Sequence, residues 1–360
     1  MCLLHYRLNK IVTIFFNFIL FVLDLAALYW VRRLKSASPW CVVMWVTILA
    51  EILLAAMFSR DHFDFARLAS YIVFLHGSVF AAGFAVILFR ERKKLAILCG
   101  ASAVALPVLA YYVFLIEPLC LETSYRQITS PKIHQAFRIV VLADLQTDAF
   151  GDYERGVLRR VMEEKPDLIL LGGDYIQISE KRYGAISREI NAFLREIRFA
   201  APYGVFAVQG NVDPASWTEI FADLGVTCVD VRKSFDLGPL RLTCLGLFDS
   251  FNTSAVVGNP DPGKFHIVFG HAPNFALGDI EADLLVAGHT HGGQVRFPLI
   301  GPIVTNSRVP RSWAAGLTEL PGGGKLLVSR GIGMERDYAP RMRFLCRPEL
   351  MVIDLAPQRE

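Results

Sequence analysis

Two imidazoles flank one threonine in the run Gly288-His289-Thr290-His291-Gly292-Gly293-Gln294, and a third, His271, follows Gly270. Upstream stand Asp144, the triplet Gly172-Gly173-Asp174 and the pair Gly210-Asn211. Imidazoles beside tight glycine turns are typical material for a metal site. Carboxylates placed with them strengthen that reading, because together they form a donor set for divalent cations.

Each of these residues ends a short apolar run. Residues 138–143 lead into Asp144, 166–171 into Gly172-Gly173-Asp174, and 204–209 into Gly210-Asn211. Residues 265–269 lead into Gly270-His271, and 282–287 into the paired histidines. Runs of this length, rich in branched apolar residues and bounded by turn residues, predict strands buried on both faces. Helical segments are expected over 152–164 and roughly 185–198. In open α/β sheets ligands gather beyond the carboxyl ends of the strands, so the polar residues are expected on one rim.

Taken in order, Asp144, Gly173-Asp174, Gly210-Asn211 with Asp213, Gly270-His271 and Gly288-His289-Thr290-His291 resemble the signature of the calcineurin-like metallophosphoesterases. Gly292-Gly293-Gln294 and Ser329-Arg330-Gly331-Ile332-Gly333 look like the bacterial, membrane-associated branch of that family. The resemblance spans about 137–355 and implies an α+β/α/β fold, a β-sandwich flanked by helices, over a domain at 137–360. It also implies a two-metal site that hydrolyses phosphoesters or phosphoanhydrides through a bridging hydroxide. By that analogy Asp174 bridges the metals. Asp144, Gln146 and His291 hold the first metal, and Asn211, His271 and His289 hold the second. Asp174, Asn211 and His289 are the residues on which catalysis is expected to depend most.

The chain departs from the family pattern twice. Gln146 stands where the family has a histidine; its carbonyl is neutral and harder than imidazole. The two divalent ions are therefore expected to be manganese or magnesium, with iron or zinc as alternatives. Val212 stands where a histidine near the leaving group is usual. Losing a general acid costs about 10²–10⁴-fold unless the leaving group is already a stable anion, so a pyrophosphate-type or activated ester is the expected substrate.

Other polar residues have bland readings beside functional ones. Arg330 is a candidate phosphate-binding group or a surface arginine, and Asp213 either orients a ligand or caps a helix near Ala215. Asp148 could assist the first metal or be a loop acid, His134 is a candidate to supply the proton that Val212 cannot, as are Arg330 and Asp213, and His266 is expected to face the interior.

The first third of the chain is different in kind. Hydrophobic residues make up 53% of the chain and charged residues 20%, a shift toward the membrane class. Four windows, 11–31, 39–58, 68–89 and 95–116, are each long enough to cross a hydrocarbon layer as a helix, giving a membrane region at 1–117. Arg32, Arg33 and Lys35 follow the first window with no small-residue cleavage site, which disfavours a removable signal peptide. Asp24, Glu51 and His76 lie at membrane depth and are expected to bond between helices or to serve a headgroup or proton. Pro107 is expected to bend the fourth helix without breaking it.

Four spans put both chain ends on one side of the bilayer. That side carries Arg7, Lys10, Arg60, Arg67, Arg126 and Lys132, against Arg32, Arg33, Lys35, Arg90, Arg92, Lys93 and Lys94 opposite. The positive-inside rule then leans toward a domain outside the cytoplasm. Cysteines 120, 228, 244 and 346 show no paired spacing of a disulfide framework.

Residues 118–136 read as a linker with no apolar period, and Phe297–Val304 as either a lip toward lipid or a connector packed on the sheet. Residues 319–325 read as a hairpin turn. A net charge of +3 carries no nucleic-acid signature. The expected partners are a lipid bilayer and a phosphorylated small molecule, lipid-linked or nucleotide-lipid in the fullest reading. A metal-binding scaffold without catalysis, and a transporter with an accessory domain, are the alternatives.

Overall fold

The computed structural model describes residues 2–34 and 37–358, so Lys35 of the orientation argument lies outside the described residues. The chain divides into two compact units, Met1–Leu115 with Asp337–Arg341, and Ile116–Arg336 with Met342–Glu360.

The first unit is helical: α1 (Cys2–Arg33), α2 (Ala37–Phe58), α3 (His62–Tyr71), α4 (Gly77–Leu88) and α5 (Lys93–Tyr111). A π-turn, Ile72–His76, joins α3 to α4 without a break, so four stretches are long and apolar enough to cross a membrane. They cover Ile11–Arg33, Pro39–Phe58, His62–Leu88 and Lys93–Leu119. Helix α5 runs through Pro107. Their outward faces carry exposed large apolar side chains such as Phe18, Trp45, Met57 and Val86. Asp24, Glu51 and His76 are turned inward and buried instead. His76 bonds across helices, Nδ1 to Asp24 at 2.6 Å and Nε2 to Asn17 at 3.0 Å, in keeping with interhelical bonding.

The second unit is built on two six-stranded sheets. In chain order the strands are β1 (Glu122–Ser130), β2 (Phe137–Leu142), β3 (Leu168–Leu171), β4 (Val205–Val208), β5 (Val226–Val229), β6 (Lys233–Asp236), β7 (Leu240–Cys244), β8 (Phe265–Phe269), β9 (Leu284–Ala287), β10 (Gly316–Glu319), β11 (Lys325–Val328) and β12 (Glu349–Pro357). The first sheet has the order β1-β12-β2-β3-β4-β5 and the second β10-β11-β9-β8-β7-β6. Strands β2 to β5 run parallel, as do β7, β8, β9 and β11.

Alternation along the strands explains the layers. Ile139, Val141, Leu168 and Leu170 pack with Ile267, Phe269, Leu284 and Val286 in one core between the sheets. Their neighbours Val140, Leu142, Ile169 and Leu171 pack outward on α6 (Asp152–Glu163) and α7 (Glu180–Glu196). Val268, Leu285 and Val328 form a third cluster on the outer face of the second sheet. Burial on both faces is why these strands read as unbroken apolar runs. The architecture is a two-sheet sandwich flanked by helices, as expected.

Two sequence expectations need correction. Residues 118–136 are not all linker: β1 pairs with β12 over nine residues, from Glu122 with Glu349 to Ser130 with Pro357. Its buried residues, Ser124, Ile128 and Ser130, are too polar to show an apolar period, yet the strand shields the edge of β12. The helix expected near Ala215 is a short 3₁₀ turn, Trp217–Phe221. The turn between β10 and β11 is the hairpin expected at 319–325.

Candidate metal centre

The strand ends deliver the polar residues to one place. Asp144 follows β2, Asp174 follows β3, Asn211 follows β4, His271 follows β8 and His289 follows β9. One ligand atom each from Asp174, His271 and His289 lies within 4.8 Å of the others. His271 Nε2 is 3.5 Å from Asp174 and 3.0 Å from Asn211 Oδ1, and its Nδ1 is 3.9 Å from Asp144.

The backbone there is unusual. Asp144 (φ 52°), Gln146 (φ 39°), Asp174 (φ 53°), His289 (φ 69°) and His291 (φ 49°) all occupy the left-handed region. Non-glycine residues rarely do so, and a cluster of them marks a site where chain direction is subordinated to side-chain aim. Glycines make room beside them. A Cβ on Gly288 would lie 2.9 Å from Asp144 Oδ2, and one on Gly331 would lie 2.7 Å from the same atom.

Hydrogen bonds fix each group's orientation. The buried Asp144 carboxylate accepts the His289 N–H at 3.0 and 3.1 Å. Asp174 Oδ1 accepts the Val212 N–H at 2.9 Å, a bond independent of the residue's side chain. Asp213 accepts the N–H groups of Asp174, Tyr175 and Gly210, all at 2.8 Å, so it positions two strand exits rather than capping a helix. His271 Nδ1–H donates to the Gly172 carbonyl at 2.7 Å, which leaves Nε2 as an acceptor. That acceptor faces the oxygens of Asn211 and Asp174, and with Asp174 ionised there is no donor among the three. His289 Nε2–H is turned to the Asn306 carbonyl at 3.1 Å, leaving Nδ1 as its free acceptor. A cation resolves this convergence of lone pairs.

The remaining ligand candidates supply a second sign of fit. Gln146 Oε1 and His291 Nδ1 are buried and have no hydrogen-bond partner. Orphaned buried acceptors are costly, by about 1–3 kcal/mol each, unless an ion or water meets them. The donor set thus suits divalent metal ions.

Electrostatics agrees. Burial pushes Asp174 up to about 7 and Asp213 up to about 8, and it carries Asp144 well above the usual carboxylate range, with the Asp174 charge adding to the effect. Burial likewise lowers His271 to about 4 and His289 to about 3, and takes His291 well below the ordinary imidazole value. Burial disfavours the charged form of both kinds of group; a bound cation would bring the carboxylate values back down while keeping the imidazoles neutral, as ligands must be.

Several sequence candidates lie elsewhere. Arg330 is not aimed at a phosphate: its guanidinium pairs with Glu122 at 3.1 Å and Glu349 at 3.3 Å. Asp148 pairs with Arg336 at 3.6 Å, and His134 is exposed. His266 is buried between Thr243 and the Glu281 carbonyl, 2.8 Å from each, as expected of an interior group. Cys41, Cys99, Cys120, Cys228, Cys244 and Cys346 are free thiols.

Three contributors were not foreseen. Buried Arg343 donates to the carbonyls of Arg330, Gly331, Gly333 and Cys346, tying down the loop that packs on Asp144. Gln177 and Glu335 bond to each other and to the Gln146 amide. Glu335 follows the Gly331-Ile332-Gly333 turn, whose glycines were its only signal in the sequence.

The chain is similar to several known proteins. Residues 137–293 match the family model described as calcineurin-like phosphoesterase. The chain is 29% identical over 267 residues to the uncharacterized metallophosphoesterase YkuE of Bacillus subtilis, covering 68% of this chain and 88% of that one. It is 31% identical over 235 residues to the phosphodiesterase YaeI of Escherichia coli, covering 61% of this chain and 82% of that one. A 5'-nucleotidase precursor from Thermus thermophilus aligns at 14% identity with a TM-score of 0.35, over 61% of this chain and 54% of that one.

Proposed function

The chain belongs to the calcineurin-like phosphoesterases, metal-dependent phosphoester hydrolases with a dimetal centre, and from that premise we propose a membrane-anchored enzyme that cleaves a phosphoanhydride or activated phosphoester of a lipid-linked substrate. The observation that carries the substrate class is Val212, whose side chain offers no proton where a departing alkoxide would need one. A departing phosphate needs little protonation, so its release costs less without a general acid.

In this reading Asp174 would contribute to holding two divalent ions, manganese or magnesium by preference, with Asp144, Gln146 and His291 as further ligands to the first and Asn211, His271 and His289 to the second. When bound, the ions would neutralise phosphoryl oxygens and lower the pKa of an attacking water. The chain's own part is to hold that geometry. Asp213 fixes the turns after β3 and β4, Gly172 sets the His271 tautomer, and Arg343 secures the loop behind Asp144.

A lipid-linked substrate is favoured by apolar side chains left bare beside the pocket. Phe297, Leu299, Ile300, Ile303 and Val304 are all exposed, and the same segment continues to Asn306, whose carbonyl meets His289. Phe251, with its ring centroid 4.9 Å from that of His289, lies at the same rim, next to fully solvent-facing Phe248. Exposed apolar clusters of this kind mark lipid or partner contact. The four long helices would anchor the enzyme, with the domain outside the cytoplasm on the charge argument.

The test is hydrolysis by purified full-length protein over a panel: a diacyl nucleotide-sugar diphosphate, phospholipids, and soluble mono- and dinucleotides, each with magnesium, manganese and zinc. The lipid diphosphate should be cleaved fastest, with manganese or magnesium, and His289→Ala should abolish turnover. Equal rates on an alkyl phosphodiester would overturn the substrate assignment.

A further inference from the structure

The residue that replaces an imidazole in this pocket is held by a device of its own. Gln146 Nε2 donates to Gln177 Oε1 at 2.9 Å and to Glu335 Oε2 at 3.3 Å, while Gln177 Nε2 donates to Glu335 Oε1 at 2.7 Å. The amide orientations follow from a backbone group. The Arg336 N–H donates to Gln177 Oε1 at 2.8 Å, so that atom must be the oxygen. Gln177 then turns its nitrogen to Glu335, and the Gln146 atom facing both acceptors must be its nitrogen. A flipped Gln146 would set its oxygen against a carboxylate and another carbonyl.

The consequence falls on the opposite side of the amide. Gln146 Oε1 is left buried with no partner, on a residue whose backbone N–H is tied to the Asp174 carbonyl at 2.7 Å. Glu335 is in turn placed by its own N–H, which donates to Gln294 Oε1 at 2.7 Å, at the end of the histidine motif. Arg336 Nε–H also donates to the backbone carbonyl of Gln146 at 2.7 Å. A histidine at 146 would need none of this, since either ring nitrogen can ligate. A carboxamide does: only one of its two ends is a ligand, and the two differ by a half-turn of one torsion.

We infer that Glu335, acting with Gln177, is a positioning residue that presents the Gln146 carbonyl oxygen to the first metal and so restores a ligand lost with the histidine. This rests on the dimetal reading above. Both Glu335 oxygens are occupied by amide N–H groups, so the carboxylate acts through Gln146 rather than by ligating. Outer groups that orient metal ligands typically govern affinity by about 10–100-fold.

The experiment titrates metal-stripped full-length protein in detergent with Mn(II), following free Mn(II) by electron paramagnetic resonance, and needs no turnover. Wild type should take up two ions per chain. Glu335→Ala should keep one and bind the other about 10–100-fold more weakly. Glu335→Gln, which retains one acceptor oxygen, should fall between. Gln146→His should bind two ions, and adding Glu335→Ala to it should change nothing, which also shows that loss of Glu335 does not unfold the domain. Two ions held by Glu335→Ala at wild-type affinity overturn the inference alone. So does equal sensitivity to Glu335 in the Gln146→His background, which would make the glutamate merely structural. A wild type that binds no manganese would overturn the dimetal reading itself.

Discussion

Gly331→Ala is a sharp test of how the pocket is packed, because Gly316 provides its own control. Gly331 has φ +66°, and an added Cβ would stand 2.7 Å from Asp144 Oδ2 and 2.8 Å from Asp144 Cβ. Gly316 has φ +80°, and a Cβ there would meet nothing within 4 Å. Both substitutions incur the left-handed backbone cost, about 1–2 kcal/mol. Only Gly331→Ala adds overpacking, about 1–3 kcal/mol more, directed at a metal ligand. At roughly 2–4 °C per kcal/mol for a domain of this size, Gly316→Ala should lower the melting temperature by about 2–8 °C and Gly331→Ala by about 4–20 °C. Saturating manganese should then raise the melting temperature of Gly316→Ala as much as that of wild type, and of Gly331→Ala hardly at all. The assay is a thermal melt with and without Mn(II). Equal melting temperatures for the two variants, with equal manganese stabilisation, would refute the claim that the loop after β11 is moulded onto Asp144.

Further outcomes follow from the same geometry. Val212→His should raise turnover of an alkyl phosphodiester by up to about 10²-fold while changing diphosphate hydrolysis little; a uniform change would show that leaving-group protonation is not what Val212 affects. The metal-stripped protein should lose stability from about pH 7 to pH 8, because burial raises Asp174 and Asp213 to about 7 and 8 in the fold, whereas below that range the lowered His271, His289 and His291 oppose the trend. In that window the folded state holds more protons than the unfolded one, so stability falls as pH rises, and bound manganese should flatten the trend. Melts of apo and manganese-loaded protein across pH check it; an apo form that gains stability toward pH 8 would contradict the buried-charge argument. Leu299→Ser with Ile300→Ser should reduce hydrolysis of a long-chain lipid diphosphate several-fold and leave a soluble analogue untouched, measured as kcat/KM on the pair.

Much of this was legible in the sequence because the site sits at strand exits. Continuous apolar runs ending in Asp144, Asp174, Asn211, His271 and His289 announce both the parallel strands and the residues at their ends. The helices at Asp152–Glu163 and Glu180–Glu196 show through their amphipathic periods. Strand β1 did not, because an edge strand with few inward apolar residues has no pattern to distinguish it from a linker. Arg330 misled for a different reason: a glycine-flanked arginine says nothing about whether a carboxylate from another strand, here Glu122 and Glu349, has already paired with it. Glu335, Gln177 and Arg343 were invisible because they act through bonds to chain segments far away in sequence, and such pairing depends on the finished fold.

The most direct test of the account is low-temperature electron paramagnetic resonance of the full-length protein loaded with Mn(II). Two ions sharing Asp174, as proposed, would lie close together, so the spectrum should show an exchange-coupled manganese pair, lost in Asp174→Asn and in His289→Ala. Isolated Mn(II) signals alone, or a coupled signal indifferent to both substitutions, would contradict a dimetal centre at these strand ends.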